Sequence, residues 1–264
     1  MLLDGQKKEK QMERLKAIIR VTGQAGIRAF GYNFSLAGVW GHQKKHAARG
    51  GAESTCFDAS LLDIQAPIPN GQVWNMTYGP GDGGYMPPVS QKELWQRLEY
   101  FLREILPVAE EAGVDMALHP DDPPMPELRQ TARLVYRPEI YQQVMELVKS
   151  PANKMELCLG SLQEMQSDRP IYDYLDKYAR AGEISYIHFR NVKGKVPCYD
   201  EVFVDEGDID MLRVLQILRD NEFEGVLIPD HTPLVNCAAP WHGGMAYALG
   251  YMRALMQAME RGLL

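Results

Sequence analysis

The sequence predicts an α/β fold built of parallel strand–helix units, and three observations carry that reading. At four places a helical pattern ends near a glycine or alanine-glycine and runs into an apolar, strand-like segment: "QAGIRAFGYNF", "EAGVDMALHP", "RAGEISYIHFRN" and "FEGVLIPDH". A fifth such segment, "KMELCLGS", follows the helical "RPEIYQQVMELVKS" through "PAN". These strands are also nearly continuous in apolar residues, as strands covered on both faces are. Strand alternating with helix gives parallel βαβ units with right-handed crossovers. A chain of 264 residues suffices for one α/β barrel, although five recognisable units are fewer than the eight that close one.

The elements follow in order. "KKEKQMERLKAIIR" sets Met12, Leu15, Ile18 and Ile19 at helical spacing among charges, which predicts an amphipathic helix with a solvated charged face. After the first strand comes a Gly- and Pro-rich stretch, about 35–89, expected to be a long loop insertion forming a lid or binding wall. Ser90 and Glu93 form a capping box ahead of a helix whose Leu94, Leu98, Phe101, Leu102 and Ile105 make one apolar stripe. The final "MAYALGYMRALMQAMERGLL" repeats Met and Leu at helical spacing, a core-packing pattern. With no linker separating independent halves, residues 1–264 are expected to form one domain.

The bulk properties exclude several classes. A net charge of -7 without a large Lys/Arg cluster argues against a nucleic-acid partner. No run reaches the roughly 18 apolar residues that a membrane span needs, and the first twenty residues have no apolar stretch of signal-peptide length. Cys56, Cys158, Cys198 and Cys237 are widely spaced with no CxxC pair, so the expected setting is a reducing cytoplasm.

Parallel α/β folds place their chemistry at the carboxyl ends of the strands. Those ends supply Tyr32 and Asn33, then His119 with Asp121 and Asp122, then Cys158, then His188 with Arg190, then Asp230 and His231. Taken singly, each has a plain explanation: a strand-end histidine, turn-forming aspartates, a small buried cysteine, an ion-paired arginine. Together, four successive strands ending in His, Cys, His and Asp offer a divalent cation four anchors at one barrel mouth and leave room for substrate. By ligand softness zinc or iron suits this set, with manganese and cobalt tolerated. Asp230 and His231 are neighbours and cannot both point inward from a regular strand, so the backbone must turn there. His231 is then free to act as acid or base.

The strings "MALHPDDPP", "LCLGSL", "IHFRNV", "AGIRAFGYNF" and "PDH", followed by "ALG" in the last helix, resemble the mannonate dehydratases of hexuronate catabolism, from about residue 10 to the C-terminus. That resemblance implies a TIM (β/α)8-type barrel of the xylose isomerase-like kind, here apparently lacking its first strands. It also implies a metal-dependent hydro-lyase converting D-mannonate to 2-keto-3-deoxy-D-gluconate, most often with Mn2+. The implied metal ligands are His119, Cys158, His188 and Asp230, and the implied catalytic histidine is His231. Arg190, with Asp121 and Asn33, is expected to face a small-molecule sugar acid. Where the family has a functional tyrosine in the last helix this chain has Met245, which leaves Tyr247, two residues on, as a weak substitute; Thr232 replaces the family's glycine after Asp-His. Family members carry three further strand-bearing segments ahead of the first strand seen here. The chain is therefore expected to be a fragment of a longer product, a decaying relative, or a homo-oligomer that fills the gap with another copy. Two other functions share the pattern: a sugar isomerase or epimerase of the same superfamily, and a non-catalytic protein that binds metal or a sugar acid.

Overall fold

The computed structural model describes residues 6–264. Its centre is a five-stranded parallel sheet in the order β1 (Ala29–Tyr32), β6 (Asp115–Leu118), β9 (Asn153–Cys158), β10 (Ile184–His188) and β13 (Val226–Ile228). The strands lie side by side in chain order, and all four pairings are parallel. These are the five segments that the sequence pattern marks as strands. Helices α2 (Gln91–Ala112), α3 (Ile140–Leu147), α4 (Leu159–Glu164), α5 (Ile171–Arg180) and α6 (Met211–Asp220) make the crossovers, and α1 (Gln6–Gln24) and α7 (Pro240–Glu260) flank the chain. The result is a curved α/β half barrel with β1 and β13 at its edges.

Local chemistry explains the principal helix. The Ser90 hydroxyl accepts the Glu93 amide at 3.3 Å and starts α2, while Gly113 ends it in the left-handed region at φ 67°. The other half of the capping box is not made, since the Glu93 carboxylate pairs with Arg97 instead. Leu94, Leu98, Phe101, Leu102 and Ile105 are all buried in one core with Met116 and Leu118 of β6 and Met155 and Leu157 of β9. Ile19 of α1 joins this core, whereas Ile18 is 52% exposed, so the apolar stripe of α1 is narrower than its spacing suggests.

The stretch 35–89 is more ordered than a lid. It carries β2 (Gln43–Ala48), β3 (Ala52–Asp58) and a small hairpin of β4 (Gln72–Val73) and β5 (Met76–Thr77). A second small hairpin, β7 (Glu127–Leu128) with β8 (Thr131–Ala132), follows β6. Strands β2 and β3 pair with β11 (Asn191–Lys195) and β12 (Cys198–Val202), the hairpin that leaves β10, in an antiparallel sheet ordered β11-β12-β3-β2. This sheet brings residues from two distant parts of the chain next to the carboxyl ends of the barrel strands. No helix among the described residues is long and apolar enough to cross a membrane.

Candidate metal centre and active site

Three strand ends converge. His119 directly follows β6, Cys158 ends β9 and His188 ends β10, and one donor atom from each lies within 4.8 Å of the other two. His119 points its Nδ1 at the Pro120 carbonyl, 2.6 Å away, which turns Nε2 toward the group. The Cys158 sulfur is fully buried and receives the Ser161 amide at 3.5 Å and Arg190 Nη2 at 3.4 Å. Asp230 stands beside the trio: its Oδ2 is 3.4 Å from His188 Nδ1 and 3.1 Å from Arg190 Nε. Its φ of 63° supplies the backbone turn that Asp230 and His231 require.

The electrostatics of this group suit a cation. Burial pushes the Cys158 thiol up, but the Arg190 charge and hydrogen bonds with His119 and His188 outweigh it, bringing the thiol down to about 5. Burial pushes His188 down, and contacts with Cys158 and Glu156 more than reverse this, to about 10. These shifts favour the thiolate form of Cys158, the form in which a cysteine binds a divalent ion. His188 Nδ1 is buried with no hydrogen-bond partner, as a ligand nitrogen would be. Two nitrogens, a thiolate and an adjacent carboxylate form a donor set that fits a catalytic divalent metal.

Arg190 is the hub behind this group. Its guanidinium reaches Asp122 Oδ2 and Glu164 Oε1, each at 2.6 Å, Glu201 Oε1 at 3.4 Å and Ser161 Oγ at 3.0 Å. With every one of its nitrogens engaged and its side chain 1% exposed, Arg190 organises the acids around it; the substrate contact expected of it from the sequence is not what its surroundings offer. Asp122 in turn accepts the Tyr199 hydroxyl at 2.7 Å and lies 3.1 Å from His42. Burial, with the negative charges of Asp122, Cys158 and Glu201 beside it, pushes the Glu164 carboxyl well above the usual carboxylate range despite the opposing Arg190.

The other expected site residues are distributed differently. His231 emerges past β13 with its ring half exposed, Nδ1 3.0 and 3.1 Å from the two oxygens of Glu201. Asp121 is buried, accepts the Leu134 and Val135 amides at 2.7 and 2.8 Å and pairs with Arg133 at 3.0 Å; it stiffens the loop after β6 rather than facing the mouth. Asn33 is exposed, one residue beyond the Tyr32 carbonyl that accepts the His119 amide at 2.9 Å. Tyr247 sits on α7 against Arg49 and Phe203, with its hydroxyl 3.2 Å from Arg49 Nη2.

Sequence reasoning missed Glu201, Glu156, Glu164, Tyr199 and His42. Glu156 alone left a signal, a carboxylate inside an otherwise apolar strand. The others sit in or beside the antiparallel sheet, whose pairing no local pattern announces.

A parallel α/β half barrel with a His/Cys/His group able to hold a metal at its strand ends has the fold of the xylose isomerase-like barrels. A crystal structure of a xylose isomerase-like TIM barrel protein from Mycobacterium smegmatis in complex with magnesium has this fold, with a TM-score of 0.58 at 13% identity over 98% of this chain and 70% of that one. Residues 84–263 match the family D-mannonate dehydratase (UxuA), and the chain belongs to that family. It is 32% identical to the mannonate dehydratase of Streptococcus pneumoniae (strain 70585) over 273 residues, which cover 96% of this chain and 73% of that protein. A crystal structure of mannonate dehydratase from Streptococcus suis serotype 2 matches it with a TM-score of 0.78 at 29% identity, over 97% of this chain and 73% of that one.

Proposed function

We propose that this protein is a metal-dependent hydro-lyase that removes water from D-mannonate to give 2-keto-3-deoxy-D-gluconate. The observation that carries the reading is the convergence of His119, Cys158 and His188, in a chain of this family, at the mouth of the half barrel. His119, Cys158, His188 and Asp230 would hold the metal, with Mn2+ first among Mn2+, Fe2+, Co2+ and Zn2+. A bound divalent ion would supply Lewis-acid stabilisation of the negative charge that develops beside the substrate carboxylate as a base takes the C2 proton.

The chain's own residues supply orientation and a proton. Burial pushes His231 down, but Glu201 overrides it and brings the imidazole to about 9, so His231 carries a proton at neutral pH. With Nδ1–H held by Glu201, Nε2, 3.6 Å from Asp230 Oδ1, is the nitrogen left to protonate the departing C3 hydroxyl. Arg190 keeps Asp230 and Glu201 in register from behind. Asn33 is the exposed polar group at the neighbouring strand end available to substrate hydroxyls, and Tyr247 serves α7 packing.

The same reading places the enzyme in the cytoplasm, which suits its free cysteines, and has it self-associate. The decisive experiment incubates purified, Mn2+-loaded protein with D-mannonate and follows 2-keto acid formation, with mass spectrometry of the product. Loss of one water supports dehydration. An isomer of unchanged mass moves the assignment to an epimerase, and metal binding without turnover of D-mannonate or other hexonates overturns catalysis.

A further inference from the structure

Directly beneath the His/Cys/His group lies a carboxylate that the reaction scheme does not use. Glu156 stands two residues before Cys158 on β9, so both side chains face the barrel interior. It is 4% exposed. Its Oε1 lies 2.9 Å from His188 Nε2 and 3.8 Å from His119 Nε2. Its Oε2 accepts the hydroxyl of Tyr186, which stands two residues before His188 on β10. Gly31 of β1 leaves the space these groups occupy: a Cβ there would lie 2.0 Å from the Tyr186 hydroxyl oxygen and 2.9 Å from Glu156 Oε2.

The two nitrogens of His188 therefore have different surroundings. Nε2 faces the Glu156 carboxylate at hydrogen-bond distance, and Nδ1, buried and unpartnered, faces Asp230. A neutral imidazole has one N–H to give, and a carboxylate can only accept it. We infer that Glu156 is a positioning residue of the metal centre: it holds His188 as the Nε2–H tautomer, so that Nδ1 is the nitrogen offered to the metal, and Tyr186 holds Glu156 in place. His119 is fixed in the complementary sense, its Nδ1 tied to the Pro120 carbonyl and its Nε2 left for the metal. Such outer partners orient a ligating histidine and raise its basicity. The inference rests on the metal-binding part of the functional reading and is independent of dehydration.

The test uses zinc as the probe and needs no turnover. Long-range 1H–15N spectra of the zinc-loaded, 15N-labelled protein should show the His188 ring, assigned by its loss in His188→Gln, with Nε2 protonated and the metal on Nδ1. By chelator competition, Glu156→Ala should weaken zinc binding by about 10- to 100-fold, the usual effect of losing such a partner. Glu156→Gln, which keeps an acceptor oxygen, should weaken it less, and the melting temperature of the metal-free protein should stay close to wild type in this variant. Zinc on His188 Nε2, or affinities equal to wild type in both variants, overturns the inference, and so does failure of the protein to bind zinc. Should the Ala variant not fold, the wild-type spectrum and the Gln variant decide. Zinc bound through Nδ1 in a protein that yields no keto acid would leave the inference standing and overturn only the dehydratase reading.

Discussion

His231 and Glu201 face each other across the seam between the two sheets, with the imidazole Nδ1 within 3.1 Å of both carboxylate oxygens. Glu201 comes from β12 of the antiparallel sheet and is 3% exposed, while His231 follows β13 of the parallel one. The carboxylate thus holds one nitrogen of a half-exposed histidine and leaves the other, 3.6 Å from Asp230 Oδ1, on the side of the strand-end group. Replacing the histidine, His231→Ala, is expected to lower kcat about 10²- to 10⁴-fold, the usual contribution of a general acid or base. Glu201→Gln should fall between this variant and wild type, with KM changed little. Steady-state kinetics on D-mannonate with saturating Mn2+ checks both.

The same pair gives the metal-free protein a pH signature. His231 is raised to about 9 in the folded state, against about 6.5 unfolded. A group whose folded value is raised stabilises fully below its unfolded value, and that contribution is lost as pH rises through the folded one. Wild type should therefore melt above His231→Asn by a margin that is largest near pH 6 and disappears above about pH 9. Thermal melts in chelator across this range measure the margin, and a margin that widens toward alkaline pH contradicts the assignment.

Arg190 balances Asp122, Glu201 and Asp230 in the interior while holding Glu164. Arg190→Met would leave buried carboxylates without their counter-charge, and breaking a buried pair this way costs about 3–5 kcal/mol. Urea titration of the metal-free variant should show a midpoint lowered accordingly. Arg190→Lys should not rescue it, because an ammonium cannot serve partners on several sides of a planar fork.

Gly160 in "LCLGSL" is required by Arg190. A Cβ there would lie 2.7 Å from Arg190 Cζ and Nη1, and the guanidinium is pinned by its partners and cannot withdraw. Gly160→Ala should cost about 1–3 kcal/mol in denaturant titration, the range for overpacking a filled core. A neutral outcome would show the Arg190 network to be looser than its distances imply.

Tyr247 carries the opposite expectation. Its hydroxyl and ring belong to a cluster with Arg49 and Phe203 on the surface of α7. Tyr247→Phe should leave kcat unchanged and cost at most about 1 kcal/mol, as exposed polar contacts do. A large loss of kcat with unchanged stability would return Tyr247 to the catalytic set.

Much of the His/Cys/His group was legible in the sequence because its residues lie where local patterns change. His119, Cys158 and His188 each terminate an apolar run, and the rule that parallel strands carry chemistry at their carboxyl ends needs only those runs. The turn at Asp230 was legible too, from the strict alternation of a strand. Glu201, Tyr199 and His42 were not, because they reach the site through pairing between β3 and β12, which joins segments far apart in the chain. The same pairing drew part of a presumed lid into sheet.

The sequence alone determined the parallel strand–helix rhythm, the apolar stripe of α2, the cap at Ser90 and the strand-end positions of His119, Cys158 and His188, since each is a short-range consequence of periodicity or capping chemistry. Only the tertiary structure decided what those ligands lean on. An arginine reads the same in a string whether it faces a sugar acid or sits among four carboxylates. Likewise an aspartate in "HPDDPP" reads the same whether it meets substrate, as expected of Asp121, or pins two backbone amides and Arg133. Buried charge is settled by which opposite charges and hydrogen bonds arrive from distant segments, because in a low-dielectric interior an unpaired ion is too costly to keep.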